Sequence, residues 1–587
     1  MSDQYQDKIN NPSIPQFFAD KTVAVSGATG FLGQCVIEKI LRKCPNVKKI
    51  LVFVREKRNL TVIERMEQYG KLPVFDKLRK EQPDFLQKIV TLPSNFEKTG
   101  FDLSEENLQL LQEEVNIFVH CAATVRFDEH LRLAFKMNTV GVRSVIKLCR
   151  TIKNLVSLVH ISTAYSYCDR KLIGEEIYPT GWDFDKLHDA MQWMTDDMIT
   201  KLTPDILKDR PNTYTLTKAF AEEVLAKEGE GLPICIVRPS IIGAVYRDPV
   251  PGWISNLHGA TGLVLAYGKG MLHSLWTKSE VKIDVIPAEY VVNCILAAAW
   301  KTGVAHEQHR RLSMTSLSGM DEDGDSSQLS RVNSTAKSLN CLAEADSTLI
   351  HKRRKSIPIY NIVVGDKIPI TLGDLVGILK NTFYTYPLND VFHIPFLQIT
   401  PNKTLYRTIQ FVMQYLPAYI FDTGLTMFGQ KPKLLRYNQR IHESTHNLQL
   451  FLQNTWNWET KNVGRLQSQL SEEDRKVFGT TAHTVNYRDY LKQYAIGVKK
   501  FIMKEDLEGY PAARRRLWRL RVLVYCSQGI LLMLVWRLLV SQTSTAKNLW
   551  HLFMSLWFKF LNFFPISSTL QKSQIFNIPF LSRFISI

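Results

Sequence analysis

The stretch that decides the fold occupies residues 22–33 and consists of Thr22-Val23-Ala24-Val25-Ser26-Gly27-Ala28-Thr29-Gly30-Phe31-Leu32-Gly33. Its first five residues are a short run rich in β-branched side chains, which predicts a buried parallel strand. After the glycines, apolar residues follow at helical spacing: Val36, Ile37, Ile40 and Leu41. A strand, a glycine turn and a helix in this order are the setting of a nucleotide-binding turn. The sequence therefore predicts an α/β fold with a doubly wound, parallel Rossmann-type sheet.

The three glycines of this turn have separate tasks in a dinucleotide-binding fold. Gly27 permits the tight turn, Gly30 lets backbone amides approach a pyrophosphate, and Gly33 lets the helix pack closely on the sheet. The predicted cofactor-binding residues of the turn are Gly27, Thr29, Gly30, Phe31, Leu32 and Gly33. The Gly-x-x-Gly-x-x-Gly spacing is typical of short-chain dehydrogenases, and a glycine turn without a cofactor is the alternative.

The residue after the second predicted strand indicates which nicotinamide cofactor is bound. The strand is Lys49-Ile50-Leu51-Val52-Phe53-Val54, and Arg55 follows it, with Lys57 and Arg58 close behind. A site for NAD usually has an acidic residue here for the ribose 2′-hydroxyl, whereas cations suit the 2′-phosphate of NADPH. The sequence therefore favours NADPH, with an ordinary solvated basic loop as the alternative.

Residues after the fourth predicted strand, 115–120, extend the expected cofactor site. Cys121 and Ala122 are small and follow the strand directly, so that the backbone could pass close to the cofactor. Asn138 lies early in the next predicted helix, where short-chain dehydrogenases use an asparagine to orient a water of the proton relay. On spacing alone, a helix-capping asparagine explains it nearly as well.

The predicted chemistry depends on Ser162, Thr163, Tyr214 and Lys218. Ser162 and Thr163 follow a fifth strand, 156–161, at the edge of the sheet where open α/β sheets bind ligands. Tyr214 and Lys218 are four residues apart and share one face of a helix. Hydride addition to a carbonyl creates an oxyanion that needs a proton, and the adjacent ammonium is expected to lower the tyrosine pKa from about 10. A hydroxyl group would bond the substrate carbonyl, with Thr163 preferred over Ser162.

These motifs and several later ones resemble the alcohol-forming fatty acyl-CoA reductases of animals. The resemblance covers about residues 15–305 and 357–505. It is carried, besides the motifs above, by Lys71-Leu72-Pro73-Val74-Phe75-Asp76-Lys77-Leu78, Arg238-Pro239-Ser240-Ile241-Ile242, Pro251-Gly252-Trp253-Ile254, residues 286–293, Tyr415-Leu416-Pro417-Ala418 and Lys431-Pro432-Lys433-Leu434-Leu435. The resemblance implies that NADPH reduces a long-chain acyl-CoA to a primary alcohol, with release of CoA and both hydride steps at one site.

One position departs from the pattern of that family. After the third predicted strand, 89–92, the family usually has Gly-Asp, whose aspartate contacts the adenine, whereas this chain has Ser94-Asn95. Asn95 is therefore the expected adenine contact, with weaker cofactor binding. Two alternatives stay open: an extended short-chain dehydrogenase acting on another carbonyl substrate, and a catalytically inactive NADP-binding scaffold.

The length of 587 residues indicates two or three domains. The predicted organisation is a frayed N-terminus at 1–15, an NADP-binding reductase domain at 16–306, a disordered serine-rich insertion at 307–356, a helical C-terminal reductase domain at 357–505, and a basic flank with a membrane-anchoring tail at 506–587. The insertion is too polar to bury a core. Ser313 and Ser356 follow basic residues and are candidate kinase sites, with a tolerated loop insertion as the alternative.

Two apolar regions bear on membrane attachment. Residues 411–428 are interrupted by Pro417 and Asp422, which predicts a core or interfacial helix rather than a membrane span. Residues 522–540 are long enough to cross a bilayer, and a second apolar stretch, 549–564, is interfacial, re-entrant or a second span. Five arginines precede the first span: Arg514, Arg515, Arg516, Arg519 and Arg521. The positive-inside rule then places the catalytic domain in the cytosol, on the endoplasmic reticulum or peroxisome membrane. A buried helix of a soluble domain is the alternative for residues 522–540.

The net charge indicates which partners the protein can bind, and the cysteines indicate the redox state of its compartment. A formal net charge of +17 suits an anionic lipid surface and the phosphates of CoA and NADPH. No zinc-finger or RNP-type pattern is present, so nucleic acid is not an expected partner. The nine cysteines have no regular spacing, which fits a reducing compartment, and no Cys/His cluster has the spacing of metal ligands.

Overall fold

Seven strands form one parallel sheet. In chain order they are β1 (Thr22–Ser26), β2 (Lys49–Val54), β3 (Ile89–Pro93), β4 (Val115–His120), β5 (Ser157–Ile161), β6 (Ile234–Pro239) and β7 (Ile359–Ile362). Their order across the sheet is β7-β6-β5-β4-β1-β2-β3, and every neighbouring pair is parallel. The order reverses between β1 and β4, and the carboxyl ends of strands at such a switch point are where open α/β sheets bind ligands. The predicted doubly wound α/β fold is confirmed.

The computed structural model describes residues 11–55, 61–96, 98–318, 357–365, 370–542, 544–545, 548–552 and 555–556. The chain divides into two compact units, with the boundary between Arg514 and Arg515. The sheet and the helices that cover it belong to the first unit.

Helices connect and cover the strands. Before residue 319 they are α1 (Ile14–Phe18), α2 (Phe31–Lys43), α3 (Val62–Gly70), α4 (Asp76–Glu81), α5 (Glu105–Glu114), α6 (Leu131–Phe135), α7 (Gly141–Thr151), α8 (Phe184–Trp193), α9 (Asp196–Leu207), α10 (Thr213–Glu228), α11 (Ala260–Gly268) and α12 (Ala288–Ser318). After residue 356 they are α13 (Leu372–Thr385), α14 (Lys403–Gln410), α15 (Leu416–Met427), α16 (Leu434–Asn447), α17 (Gln449–Gln453), α18 (Lys461–Gln469), α19 (Glu472–Phe478), α20 (Tyr487–Gly497) and α21 (Tyr510–Gln542).

Shorter elements complete the description. Three 3₁₀ segments occupy Pro73–Phe75, Phe85–Lys88 and Thr99–Asp102, and three π-helical turns occupy Lys136–Val140, Phe411–Tyr415 and Val498–Ile502. Four two-stranded pairs lie outside the main sheet: Leu172–Ile173 with Asn457–Trp458, Ile241–Gly243 with Val285–Pro287, Ser274–Trp276 with Gln398–Thr400, and Lys282–Ile283 with Ile370–Thr371.

The sheet is buried on both faces, which explains its continuously apolar strands. Val23 and Val25 of β1 belong to a core cluster that includes α2 and α12. Ala24, between them, belongs to a second cluster with α7 and α10 on the opposite face. Successive side chains of a strand point to opposite faces, so one strand supplies both cores.

Residues on both sides of the predicted insertion build the sheet. β7 follows the insertion and pairs with β6, with Ile359 opposite Ile236. The segment predicted to open the helical domain therefore also adds the edge strand of the reductase sheet. The domain limits drawn from the sequence stay a prediction.

Two predictions of disorder are wrong where the structure describes the residues. The predicted disordered insertion starts at 307, but α12 continues to Ser318, and Glu307 pairs with Lys21 at 3.5 Å. The predicted frayed N-terminus includes residues that are ordered: Ile14 is buried in the core, and its amide donates to the Asp474 carboxylate at 3.0 Å. Residues 1–10 and 319–356, including Ser356, lie outside the described residues.

A buried ion pair joins α10 to β6. Glu222 of α10 and Arg238 of β6 are both completely buried, and the guanidinium bonds both carboxylate oxygens. Arg238 also donates to the carbonyl oxygens of Gly174 at 3.0 Å and Glu176 at 2.8 Å. Because each charge has several partners, the pair fixes the position of α10 against the sheet.

The C-terminal helix α21 carries the predicted membrane segment. Among the described residues, Tyr510–Arg537 is a helix long and apolar enough to cross a membrane. Its large apolar side chains are exposed, including Leu532 at 74% and Leu531 at 62%. Most of the second apolar stretch, 549–564, lies outside the described residues.

We predict that Arg238→Met lowers the free energy of unfolding by about 3–5 kcal/mol, because it leaves the Glu222 carboxylate buried without its partner. Urea unfolding followed by circular dichroism measures the change. Arg126→Met is the control, since Arg126 and Asp128 form an exposed pair, and its expected change is below about 0.5 kcal/mol. Equal changes in the two variants would contradict the prediction.

Candidate active site

The glycine turn at the carboxyl end of β1 is packed too closely to accept side chains. Gly27 has a φ of +69°, and a Cβ atom there would lie 2.7 Å from the Ala122 nitrogen. A Cβ atom at Gly33 would lie 2.3 Å from the Gly27 carbonyl oxygen. The Gly30 amide donates to that same carbonyl oxygen at 2.9 Å, and α2 begins at the next residue. The glycines therefore permit contacts within the turn and with the chain after β4.

The start of α2 presents backbone amides at the switch point of the sheet. The Thr29 carbonyl oxygen accepts from the Gln34 side chain at 2.9 Å, which fixes the turn. Phe31 is buried, and Leu32 packs against the same core. The amides of a first helical turn have no partner within the helix, and the helix adds partial positive charge. This end of α2 is suited to a pyrophosphate.

The chain after β4 lies against the glycine turn. The Ser26 hydroxyl hydrogen-bonds His120 Nδ1 at 2.7 Å and accepts from the Ala122 amide at 3.2 Å. Burial lowers the pKa of His120 to about 3, so this ring is neutral. Burial raises the pKa of the Cys121 thiol to about 12, with Lys218 acting in the opposite direction. Cys121 is therefore a neutral thiol and not a thiolate nucleophile at neutral pH.

Two arginines lie together at the carboxyl end of β2. Arg55 follows the strand, and its carbonyl oxygen accepts a hydrogen bond from the Arg65 guanidinium of α3. Burial and the charge of Arg55 lower the pKa of Arg65, so the two cations are close. Arg65 was missed by the sequence reasoning because no motif marks it. Lys57 and Arg58 lie outside the described residues.

Asn95 lies in the turn that follows β3. Its amide nitrogen donates to the Phe101 carbonyl oxygen at 2.7 Å, and its side chain is half-buried. Because β3 lies beside β2 at the same edge of the sheet, Asn95 is placed near the end of the site where Arg55 lies. Its role as an adenine contact stays a prediction.

Thr163 and Tyr214 meet at the carboxyl end of β5. The Asn212 side chain caps α10 by accepting from the Thr215 amide at 2.9 Å, which places Tyr214 in the first turn of the helix. The Thr163 hydroxyl lies near that of Tyr214 and acts on its pKa. It also donates to the Pro239 carbonyl oxygen at 3.5 Å and accepts from the Tyr165 amide at 3.3 Å. Burial raises the pKa of Tyr214 to about 12, and the Thr163 hydroxyl acts in the opposite direction. Tyr214 is therefore a protonated phenol, which can donate a proton.

Lys218 lies one helical turn after Tyr214, but its ammonium is directed to the end of β5. Its Nζ donates to the Ile161 carbonyl oxygen at 2.6 Å. Burial lowers the pKa of Lys218 to about 8, while Cys121 and Glu222 act in the opposite direction. The prediction that Lys218 lowers the pKa of Tyr214 is wrong for this structure, because burial dominates at Tyr214 and the ammonium has another partner.

Ser162 is separated from this chemistry although it is the neighbour of Thr163. Its hydroxyl donates to the Glu222 carboxylate and lies 2.9 Å from the Ser166 hydroxyl. The side chain is buried, with 2% of the residue exposed. The predicted catalytic role of Ser162 stays a prediction. Adjacent residues of an extended chain face opposite sides, and the Ser162 hydroxyl faces the Glu222–Arg238 network.

Asn138 occupies the π-helical turn between α6 and α7 rather than the start of a helix. Its Oδ1 accepts from the Thr124 amide at 2.8 Å. Its Nδ2 donates to the Thr124 carbonyl oxygen and the Thr217 hydroxyl, both at 3.1 Å. It therefore joins the loop after β4 to α10, next to Lys218, and it caps no helix. Its predicted role in orienting a water stays a prediction.

Aromatic side chains from distant parts of the chain form a cluster that reaches Tyr214 through Phe127. The ring of Phe127 lies 5.7 Å from that of Tyr214 and stacks on Phe451 at 5.6 Å. Tyr165 meets three rings edge-on at 5.1–5.5 Å, those of Phe451, Trp456 and Trp458. We call this set the aromatic wall: Phe127, Tyr165, Phe451, Trp456 and Trp458.

The aromatic wall is tied to the loop after β5 by its indole groups. Trp456 Nε1 donates to the Cys168 carbonyl oxygen at 3.0 Å, and Trp458 Nε1 donates to that of Ala164 at 2.8 Å. Four members of the wall, Tyr165, Phe451, Trp456 and Trp458, line a cleft. Sequence reasoning missed the wall, because only tertiary contacts bring its members together.

The residues present fit a nicotinamide dinucleotide. The glycine turn lets the end of β1, the start of α2 and the chain after β4 approach one another closely. The start of α2 supplies amides, and Lys218 supplies a buried cation near the turn after β4. In the part of the chain that the structure describes, no group of three or more His, Cys, Asp or Glu residues could hold a metal ion.

We predict that Gly27→Ala weakens NADPH binding about tenfold or more, because the new Cβ would displace the chain at Ala122. Titration of NADPH fluorescence measures the dissociation constant. Gly231→Ala is the matched control: Gly231 also has a positive φ, +78°, but nothing lies within 4 Å of its Cβ position. If both variants bind NADPH equally, the close approach at Gly27 does not shape the cofactor site.

Comparison with known proteins places this site in a family. Two family models, both described as male sterility protein and the first an NAD-binding one, match residues 25–295 and 413–505. Fatty acyl-CoA reductase 1 of Rattus norvegicus and that of Homo sapiens are each 37% identical over 559 residues, which is 95% of this chain and 99% of theirs. Fatty acyl-CoA reductase 2 of Bos taurus is 34% identical over 95% of this chain and 99% of its own.

Solved structures are more distant. The terminal reductase domain from the myxalamid biosynthetic pathway is 16% identical, with a TM-score of 0.48 over 82% of this chain and 91% of its own. The family is shown by the fatty acyl-CoA reductases, which match this chain over nearly their full length. The chain belongs to the fatty acyl-CoA reductases.

Proposed function

We propose that this enzyme reduces a long-chain fatty acyl-CoA to a primary alcohol with NADPH and releases CoA. The observation that carries the proposal is the hydroxyl pair of Thr163 and Tyr214 at the switch-point edge of the sheet. The pair lies beside a glycine turn suited to a dinucleotide and beneath an apolar wall suited to a fatty acyl chain. Membership of the family supplies the substrate class, because the relatives are named for fatty acyl-CoA.

The bound cofactor supplies the hydride in each of two steps. In the first step the thioester carbon accepts a hydride, and Thr163 and Tyr214 hydrogen-bond the oxygen that gains negative charge. Tyr214 donates its proton to that oxygen, which gives a hemithioacetal. Cleavage of the C–S bond, with the hydroxyl proton moving to sulfur, then releases CoA as the thiol and leaves an aldehyde. A proton from solvent restores the Tyr214 phenol before the second step.

The second step repeats the chemistry on the aldehyde. The carbonyl carbon accepts a second hydride, the oxygen takes a proton from Tyr214, and a primary alcohol results. One acyl-CoA, two NADPH and two protons give one alcohol, one CoA and two NADP⁺. The aromatic wall keeps water from the aldehyde between the steps, so that both reductions take place at one site.

The charge on Lys218 supports both steps without touching the Tyr214 hydroxyl. Its ammonium lies at the end of β5, beside Cys121, where it is suited to bond the ribose of the cofactor. A positive charge there also favours the oxyanion that forms at the carbonyl.

We predict that Tyr214→Phe lowers kcat for alcohol formation about 100-fold or more, because it removes the proton donor and keeps the ring. Gas chromatography–mass spectrometry of products from membranes given NADPH and acyl-CoAs of graded length measures the loss. Tyr487→Phe is the control, since its buried hydroxyl has no hydrogen-bond partner among the described residues. Unchanged alcohol from Tyr214→Phe would exclude the assigned role. No alcohol from the unaltered, NADPH-bound protein would favour another carbonyl substrate or an inactive scaffold.

The choice of NADPH over NADH is proposed from the two arginines at the end of β2. Their guanidinium groups are suited to the 2′-phosphate, which NADH lacks. We predict that replacing both Arg55 and Arg65 by Gln lowers the ratio of kcat/KM for NADPH to that for NADH about tenfold or more. Arg465→Gln, an exposed arginine on α18, is the control. A ratio unchanged in the double variant would contradict the assignment.

The membrane anchor is proposed from α21. Its apolar part is long enough to cross a bilayer, and five arginines at its start favour a cytosolic position for that end. We predict that a chain ending at residue 508 leaves the membrane fraction after high-salt washing, whereas the full chain stays. Retention of both would show that other segments suffice for attachment.

A further inference from the structure

Residues 411–428 carry a large apolar surface that faces solvent. Phe428 is 86% exposed, Met427 82% and Ile420 64%. The other exposed apolar side chains of the segment are Phe411, Val412, Leu416, Tyr419 and Phe421. We call these eight residues the apolar face. The sequence predicts a core or interfacial helix here, and this exposure is incompatible with a core helix.

The segment buries Gln414 and Asp422 and exposes most of its large apolar side chains, the reverse of a helix on a water-soluble surface. Its buried positions are Gln414, Ala418 and Asp422, spaced four residues apart along one side. The Gln414 side chain donates to the Met271 carbonyl oxygen at 2.8 Å, and its backbone carbonyl oxygen accepts from Asn438 at 2.8 Å. The polar side is thus bonded to the reductase unit, and the apolar side is left facing outward.

Asp422 fixes this orientation instead of interrupting the helix. Its carboxylate accepts from the amides of Lys433 and Leu434, both at 3.1 Å, and from that of Leu435 at 2.9 Å. These are the amides at the start of α16, where a carboxylate satisfies unpaired donors. Rotating α15 to bury the apolar face would break all three bonds, so the exposure is built into the fold.

Exposed cations flank the apolar face along the chain, on the segments before and after it, and the helices there contact it. Between residues 403 and 440 the chain has six Lys or Arg residues and a single acidic residue, the buried Asp422. All six cations are exposed: Lys403, Arg407, Lys431, Lys433, Arg436 and Arg440. An apolar surface with a basic rim matches the acyl region and the anionic headgroups of a lipid bilayer, whereas a protein partner would need its own acidic, concave complement.

We propose that the apolar face enters the headgroup and acyl boundary of an anionic bilayer, as an in-plane attachment separate from α21. The basic rim then lies among the lipid phosphates, and Asp422 keeps the polar side bonded to the reductase unit. The assignment depends on exposure and charge and is independent of the reaction proposed above. An in-plane attachment holds the reductase unit at the lipid surface in which long acyl chains dissolve.

The test uses the full chain in vesicles of phosphatidylcholine with phosphatidylserine. A nitroxide spin label is attached at Ile420→Cys in a Cys526→Ser background, and the labelled background alone corrects for other thiols. Trp193→Cys on α8 is the matched control, because Trp193 is apolar and 68% exposed but does not belong to the apolar face. Electron paramagnetic resonance then measures collision of each label with oxygen, which dissolves in lipid, and with a water-soluble nickel chelate.

The proposal predicts that the label at 420 collides with the nickel chelate about tenfold less often than the label at 193, and more often with oxygen. Replacing phosphatidylserine by phosphatidylcholine is expected to reduce this protection, because the basic rim loses its counter-charges. Equal nickel access at both positions would overturn the proposal. Broadening of the spectrum by a second label nearby would also overturn it, since the occupant would then be another copy of the chain.

Discussion

The buried carboxylate of Glu222 is the interaction on which the site depends. It lies on α10, one turn after Lys218, and bonds both the Arg238 guanidinium of β6 and the Ser162 hydroxyl after β5. These bonds fix a helix, a strand and a loop relative to one another. The Tyr214 and Thr163 hydroxyls meet because their parent elements are held in this way. A buried charge pair is costly unless fully bonded, and here its bonds join α10 to β6 and to the loop after β5.

Much of the fold could be predicted from local sequence because its signals are local. The glycine turn, the apolar strands and the spacing of Tyr214 and Lys218 each lie within a few residues, and the structure has the first five strands where they were expected. The pKa of Tyr214 and the hydrogen-bond partner of Lys218 could not be predicted in the same way. The Tyr214 pKa depends on burial by remote residues, and the ammonium of Lys218 is directed to a carbonyl group that sequence spacing does not identify. The aromatic wall also joins residues more than 300 positions apart, Phe127 and Phe451.

The environment of residues 411–428 also could not be predicted from the sequence. An apolar run of sequence predicts that its side chains are shielded from water. It does not predict whether they pack against protein or insert into lipid. The deciding information is which side of α15 is bonded to the rest of the chain, and that side is the polar one, through Gln414 and Asp422. The catalytic unit thus combines a polar, tightly bonded interior with apolar surfaces where a fatty substrate and a bilayer would lie.

In the proposed reaction one site performs both reductions. The direct measurement is mass spectrometry of products formed from unlabelled acyl-CoA and NADPH deuterated on the transferred position of its nicotinamide, with an aldehyde-trapping amine present. Reduction of the thioester and of the aldehyde at one site would give a primary alcohol with two deuterium atoms on the carbon that was the thioester carbonyl, one equivalent of free CoA, and little trapped aldehyde. A singly deuterated aldehyde as the main product, with no alcohol, would contradict it.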